Sequence, residues 1–356
     1  MNAKYLWHRI IASERSLVRR LRAKLFAPNV TGDLNDATIV FVIASPRSGT
    51  TWLQRAFNEH PDISCGEHRL FGSYFDVIQD NQANRLRITL DEFANTLARR
   101  TVKQDLAVSI DAYTDELTAE FARTAFEKWR QHSGKSILVD KVTPYPGTSE
   151  AVVQKIQKLF PQAHIIQLVR DGRDVLTSGV FHWLKKSANG AQPTPFEQHR
   201  RGLILDGQPL PPLSRFFTDD EIRLWSGTWS EPLDALQKYG PDDSFQIRYE
   251  DMITDQSDVL RRICERVGAD SSQATLQKCV KFASFKHMSG GRQTGQTSPG
   301  AHVRKGIIGD WKNYFTRDDA ELFDDLCGCQ MKSTEYESTN DWVKDRPLTL
   351  EVRKAS

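Results

Sequence analysis

The segment TIVFVIASPRSGTTWLQRAFNEHPD, residues 38–62, constrains the fold more than any other. It opens with an apolar, β-branched run from Ile39 to Ala44 that shows no polar alternation, the pattern of a strand buried on both faces. A turn of small residues follows, and from about Thr50 to Asn58 the pattern is helical until His60-Pro61 stops it. A strand of this kind feeding straight into a helix is the start of a parallel βα unit. The same grammar recurs: a strand over Ser136 to Val139, a helix over Glu150 to Phe160 closed by Pro161, a strand over His164 to Val169, and a helix over Asp171 to His182. Helices follow at about Asp219 to Tyr239 and Val259 to Val267, with FQIRYEDM, residues 245–252, a strand and its exit between them. The alternation predicts an α/β fold: three layers, a mostly parallel sheet with helices on both faces, and ligands at the carboxyl ends of the strands.

The first turn is built for an anion. The first backbone N–H groups of a helix lack intrahelical partners, and the helix dipole adds partial positive charge there. In SPRSGTT, Gly49 lets the backbone approach an anion, Ser48, Thr50 and Thr51 add hydroxyls, and Arg47 adds a guanidinium. The alternative is an ordinary strand–helix turn capped by Ser48. A Walker A loop needs G-x-x-x-x-G-K-[ST]. Here Ala44 stands at the first Gly and Thr50 at the Lys, while the positive charge sits earlier at Arg47, which disfavours ATP and Mg²⁺.

Composition removes other classes. The chain of 356 residues has 39% hydrophobic and 26% charged residues, ordinary for a globular protein, and its net charge of +2 gives no reason to expect nucleic acid. The charge is uneven: residues 1–27 carry seven Lys or Arg against Glu14. Leu6, Ile10, Leu17, Leu21 and Leu25 add a helical stripe there. Such a basic amphipathic helix lies peripherally on an anionic membrane surface, contacts a partner, or packs on its own domain. No apolar h-region follows the basic residues, and no run of ~20 apolar residues spans a bilayer. Five cysteines without zinc-type spacing suggest reduced thiols, so the expectation is a soluble, cytoplasmic protein with no metal.

Four segments in order resemble the sulfotransferases that use 3′-phosphoadenosine 5′-phosphosulfate (PAPS). SPRSGTTW is similar to that family's 5′-phosphosulfate loop, and LVRDGRDVLTS, residues 168–178, to its 3′-phosphate motif. RYEDM and VRKGIIGDWKNYF resemble two further segments. The resemblance implies a P-loop-NTPase-like sulfotransferase fold, PAPS as donor, and two phosphate cradles. Arg47, Ser48, Gly49, Thr50 and Thr51 would form one, with Trp52 offering a π face to adenine. Arg170, Ser178, Arg304, Lys305 and Gly306 would form the other, with Tyr249 on the adenine side. On this reading residues 1–28 are the basic N-terminal helix, 29–335 a single sulfotransferase domain, and 336–356 a polar tail. Residues 185–220, with five prolines, read as a lid-like loop insertion. Its Arg200 and Arg201 would suit an anionic glycan acceptor, or the loop is packing.

The chain departs from the family at the base. In the cytosolic branch a His follows a Lys by two residues on a mid-chain strand; in LVDKVTPYP, Lys141 is kept and Thr143 stands at the His. The carbohydrate and tyrosylprotein branches use a Glu some twenty residues after the loop, and Glu67 lies twenty residues past Arg47. Glu67 is therefore the expected base, with Lys141 and Arg47 stabilising charge on the bridging oxygen. His68 is the adjacent rival and His182 a distant one. The expected activity is sulfuryl transfer to a hydroxyl or amine of a small molecule or glycan. A P-loop kinase and a non-catalytic nucleotide binder are the alternatives, and the oligomeric state is not legible.

Overall fold

The computed structural model describes residues 37–68, 70–71, 89, 92–93, 95–96, 110–186, 194–205, 215–293, 295–296 and 305–350. The basic helix expected over residues 1–28 and the predicted ligand Arg304 lie outside the described residues. Five strands, β1 (Thr38–Ile43), β2 (Ile63–Gly66), β3 (Ile137–Val142), β4 (His164–Val169) and β5 (Phe245–Arg248), form one sheet in the order β2-β3-β1-β4-β5. Every pairing is parallel. The chain fills one side of β1 before crossing to the other, so the carboxyl end of β1 is the switch point where a ligand crevice is expected.

The helices are, in chain order, α1 (Thr50–Asn58), α2 (Ile110–Ser133), α3 (Ser149–Leu159), α4 (Gly172–Lys186), α5 (Pro195–Leu205), α6 (Asp219–Tyr239), α7 (Tyr249–Thr254), α8 (Gln256–Val267), α9 (Gln273–Ala283), α10 (Phe285–Met288) and α11 (Arg317–Ser333). Strand side chains alternate between faces. β1 accordingly sends Val40 and Val42 into a core with Leu53 of α1, Ile263 of α8 and Leu276 of α9. Phe41 and Ile43 enter the opposite core with Phe126 of α2, Ile156 of α3 and Leu236 of α6. Burying each such side chain contributes about 1.5–3 kcal/mol. The three-layer expectation follows directly from this split.

A third core joins α4, α6 and α11 to the C-terminal segment. The tail, read as polar, drives Trp342 and Leu350 into it. Part of the expected 185–220 loop is also regular: α5 begins with Thr194 and Glu197 in reciprocal bonds, Thr194 N–H to Glu197 Oε2 at 2.8 Å and Glu197 N–H to Thr194 Oγ1 at 3.2 Å. Its Arg200 is fully buried, donating to both Glu221 carboxylate oxygens at 2.9 Å and to the Phe216 carbonyl at 2.7 Å. Of the two readings left open for Arg200, an anionic acceptor or packing, these contacts give packing. A guanidinium so engaged holds α5 against α6.

Candidate active site

The turn after β1 enters α1 through Gly49, which has φ 96° and serves as N-cap without any side-chain cap. A Cβ at Gly49 would lie 2.6 Å from Tyr249 Cδ2, so both the backbone angle and the space demand glycine. Ser48 does not cap the helix. Its Oγ lies 2.8 Å from Ser45 Oγ, buried beneath the loop. The positive end of α1 is therefore presented to the cavity beside it.

The second turn, after β4, is tied to the first. Arg170 Nη1 donates to the Arg47 carbonyl oxygen at 3.0 Å, and Arg47 Nε donates to Ser178 Oγ on α4 at 3.2 Å. The Arg170 guanidinium also stacks over Tyr249, 4.2 Å from the ring centroid, and Nη2 donates to the Ile307 carbonyl at 3.3 Å. Asp174, fully buried, lies 3.6 Å from Arg170 and accepts from the Gly309 N–H at 2.8 Å and the Trp311 N–H at 3.0 Å. Burial pushes the Asp174 carboxyl above its ordinary range, against the pull of Arg170 and of the two amides. One carboxylate thus fixes both the turn after β4 and the loop that carries Lys305 and Gly306. Gly306 has φ 66°, and a Cβ there would sit 2.5 Å from Phe285 Cδ2.

These turns border one cavity of about 600 Å³. Arg47, Gly49, Thr50, Thr51 and Trp52 line one end, with Arg170, Ser178, Tyr249, Lys305 and Gly306 also in the wall. Sequence reasoning missed Phe285, Lys286 and Arg292, which α10 and the turn after it supply. Their signal was an aromatic followed by cations in FKHMSGGR. Among the described lining residues, Arg47, Lys141, Arg170, Lys286, Arg292 and Lys305 face one carboxylate, Glu67. Lys305 is in part balanced from behind by Asp310, 3.2 Å away. Two buried donors in this wall, Arg170 Nε and Trp52 Nε1, have no partner among the described residues. Such an excess of cations, with uncompensated N–H groups and two close backbone approaches, fits a ligand with separated anionic groups.

The predicted catalytic pair meets. Gly66 pairs with Asp140 in the sheet register, so Glu67 leaves β2 beside Lys141 on β3, and Lys141 Nζ lies 2.7 Å from Glu67 Oε2. His68 turns away: its backbone N–H reaches Asp140 Oδ1 at 3.0 Å, its ring Nδ1 lies 3.2 Å from the same oxygen, and the ring packs 4.1 Å from Trp129. His68 does not line the cavity, whereas His182, four residues past Ser178 on α4, does. A second cavity of about 670 Å³ shares Pro46, Glu67, Lys141, Thr143, His182 and Trp225 with the first. The Glu67–Lys141 pair therefore stands where the two chambers join.

Comparison with known proteins gives the family. The family model described as a sulfotransferase domain matches residues 37–335. Sulfotransferase 2A1 from Mus musculus is 31% identical over 205 residues, which is 54% of this chain and 65% of that protein. Sulfotransferase 2B1 from Homo sapiens is 27% identical over 224 residues, 60% of this chain and 56% of that one. The chain thus spans less than two thirds of the length of these relatives. A solved structure, mouse sulfotransferase SULT7A1 complexed with PAP, is similar at 19% identity over 88% of this chain and 89% of that chain, with a TM-score of 0.47. With the family model covering most of its length, the chain belongs to the sulfotransferase family.

Proposed function

We propose that this chain transfers a sulfuryl group from PAPS to an acceptor hydroxyl or amine, with Glu67 as the base. The observation that carries this reading is the cationic cavity whose two anion-binding turns are bonded to each other and lead to the Glu67–Lys141 pair. The donor is a substrate with anions at both ends of a nucleoside, and it needs two separated cradles. Arg47 and the N-terminus of α1 serve the 5′ end, while Arg170, Ser178 and Lys305 serve the 3′ end.

The transfer step balances without a metal. Glu67 takes the acceptor proton as the new O–S bond forms, and the bridging S–O bond breaks with its electron pair passing to the phosphate oxygen. Lys141 and Arg47 carry the charge that appears on that oxygen. Before the donor arrives Lys141 is held by Glu67 at 2.7 Å. A phosphate oxygen that draws Lys141 away releases Glu67 to act as base.

Thermal stabilisation by adenosine 3′,5′-bisphosphate, beside AMP, ADP and ATP–Mg²⁺, tests the donor site. A ligand at ~100 times its dissociation constant stabilises by about 2.7 kcal/mol. Selective stabilisation by the bisphosphate, and EDTA-insensitive turnover of labelled PAPS, is the expected result. Preference for ATP–Mg²⁺ would replace this reading with phosphoryl transfer.

A further inference from the structure

The second cavity differs in charge from the first. Trp183, Leu224 and Tyr145 give it apolar walls, exposed by 59%, 55% and 46%. Its described carboxylates are Glu67, Asp140, Glu197, Asp220 and Glu221, against the single Lys141. Glu67 is paired with Lys141, and Glu221 with Arg200 behind the wall. Asp140, Glu197 and Asp220 have no Lys or Arg partner among the described residues. Glu197 and Asp220 stand in the first turns of α5 and α6, where an acid also complements the helix dipole.

Asp140 has no such account. It sits on β3, is 1% exposed, and lines this cavity. Its Oδ1 takes both contacts from His68, while its Oδ2 is buried with no partner among the described residues. A buried acceptor without a donor is costly to keep, and a ligand that donates to it recovers that cost. A protonated amine does so best, because the bond is charge-assisted and aromatic faces such as Trp183 and Trp225 favour a cation.

We propose that the second cavity selects an acceptor with an apolar body that carries both its reacting hydroxyl and a protonated amine, an amino alcohol, with Asp140 as the buried anchor, and that it rejects anionic acceptors. This rests on the sulfuryl-transfer reading and names the acceptor class for it.

The test uses the full chain saturated with adenosine 3′,5′-bisphosphate and three matched probes: 4-ethylbenzyl alcohol, its 4-(2-aminoethyl) analogue and its 4-(2-carboxyethyl) analogue. By calorimetry the amine should bind at least tenfold tighter than the neutral probe, and the carboxylate weakest. Asp140→Asn should reduce the amine preference to under threefold while bisphosphate binding persists. If that buried change prevents folding, the exposed Asp220→Asn should still lower the preference at least threefold. An amine no better than the neutral probe, or a preference that survives these substitutions, overturns the proposal. Failure of the unaltered protein to bind the bisphosphate would overturn the transfer reading instead, and the amine preference, measured without nucleotide, would still decide this one.

Discussion

Arg170 donates to the carbonyl oxygen of Arg47 across 3.0 Å, so the turn after β4 and the turn after β1 are bonded parts of one cavity wall. The Arg170 side chain makes this contact, the contact to the Ile307 carbonyl and the stack on Tyr249 at the same time. Arg170→Lys keeps the charge and loses the planar fork. We predict a loss of about 3 kcal/mol in bisphosphate binding, on the order of a hundredfold, from bonds to a charged group worth about 1.5–3 kcal/mol each. AMP, which lacks the 3′ anion, should bind equally to both proteins. Titration calorimetry with the two nucleotides decides it; a loss equal for both would place Arg170 elsewhere in the site.

Glu67 and His182 both border the junction of the two cavities, and His68 does not. Glu67→Gln is predicted to lower kcat by about 10²–10⁴ while leaving bisphosphate affinity within a few-fold. His68→Ala should retain most of the activity. Single-turnover assays with labelled PAPS check the set, and a collapse of rate in His182→Asn with near-normal rate in Glu67→Gln would move the base to the histidine.

Gly49 is held at φ 96° with Tyr249 and Met252 crowding the place of a Cβ. Gly49→Ala should therefore destabilise the fold by about 1–3 kcal/mol through backbone strain and also abolish nucleotide-dependent stabilisation. Gly268, at φ 74° with open space around it, is the control: Gly268→Ala should cost stability alone. Denaturant unfolding with and without the bisphosphate separates the two outcomes.

Burial pushes the Glu250 carboxyl above its ordinary value of 4.5, although Tyr336 Oη donates to it at 2.5 Å. A carboxyl whose folded value is raised holds its proton more tightly when folded. Its contribution to stability is full below 4.5 and is lost as pH rises through the folded value. Glu250→Gln removes that titration. The stability of the unaltered protein relative to Glu250→Gln should thus decline as pH rises from about 4.5, then level off. Melting curves of both proteins between about pH 4 and 8 would contradict this if the difference grew with pH.

Much of the donor half was legible because local rules set it. α1 runs from Thr50 to Asn58 and β4 from His164 to Val169, as the apolar runs and the Pro stops indicated. Glu67 and Lys141 were joined only by a resemblance, yet the register of β2 on β3 brings them together. β2 itself escaped notice because it is four residues long with only Ile63 and Cys65 buried. α2 was missed as well, since the buried face of its described part is Thr114, Thr118, Ala122 and Phe126, a weak hydrophobic signal. α5 was hidden by the neighbouring prolines, although Thr194-x-x-Glu197 is a capping-box spacing and Pro195 suits the first helical position. The aromatic clamp on Arg173, with Trp311 at 3.9 Å and Trp342 at 4.5 Å, joins segments far apart in sequence, and no local pattern announces it.

β3 carries Asp140 and Lys141 side by side, and alternation turns them to opposite faces of the sheet. Two neighbouring residues thus meet different surroundings: Lys141 lines both cavities, whereas Asp140 lines the second alone. If Asp140 anchors the acceptor as proposed, a change at position 140 should alter the acceptor preference while the Lys141–Glu67 contact stays in place. On the proposed reading, the pleat of a single strand would let the acceptor preference drift while the transfer machinery stays fixed.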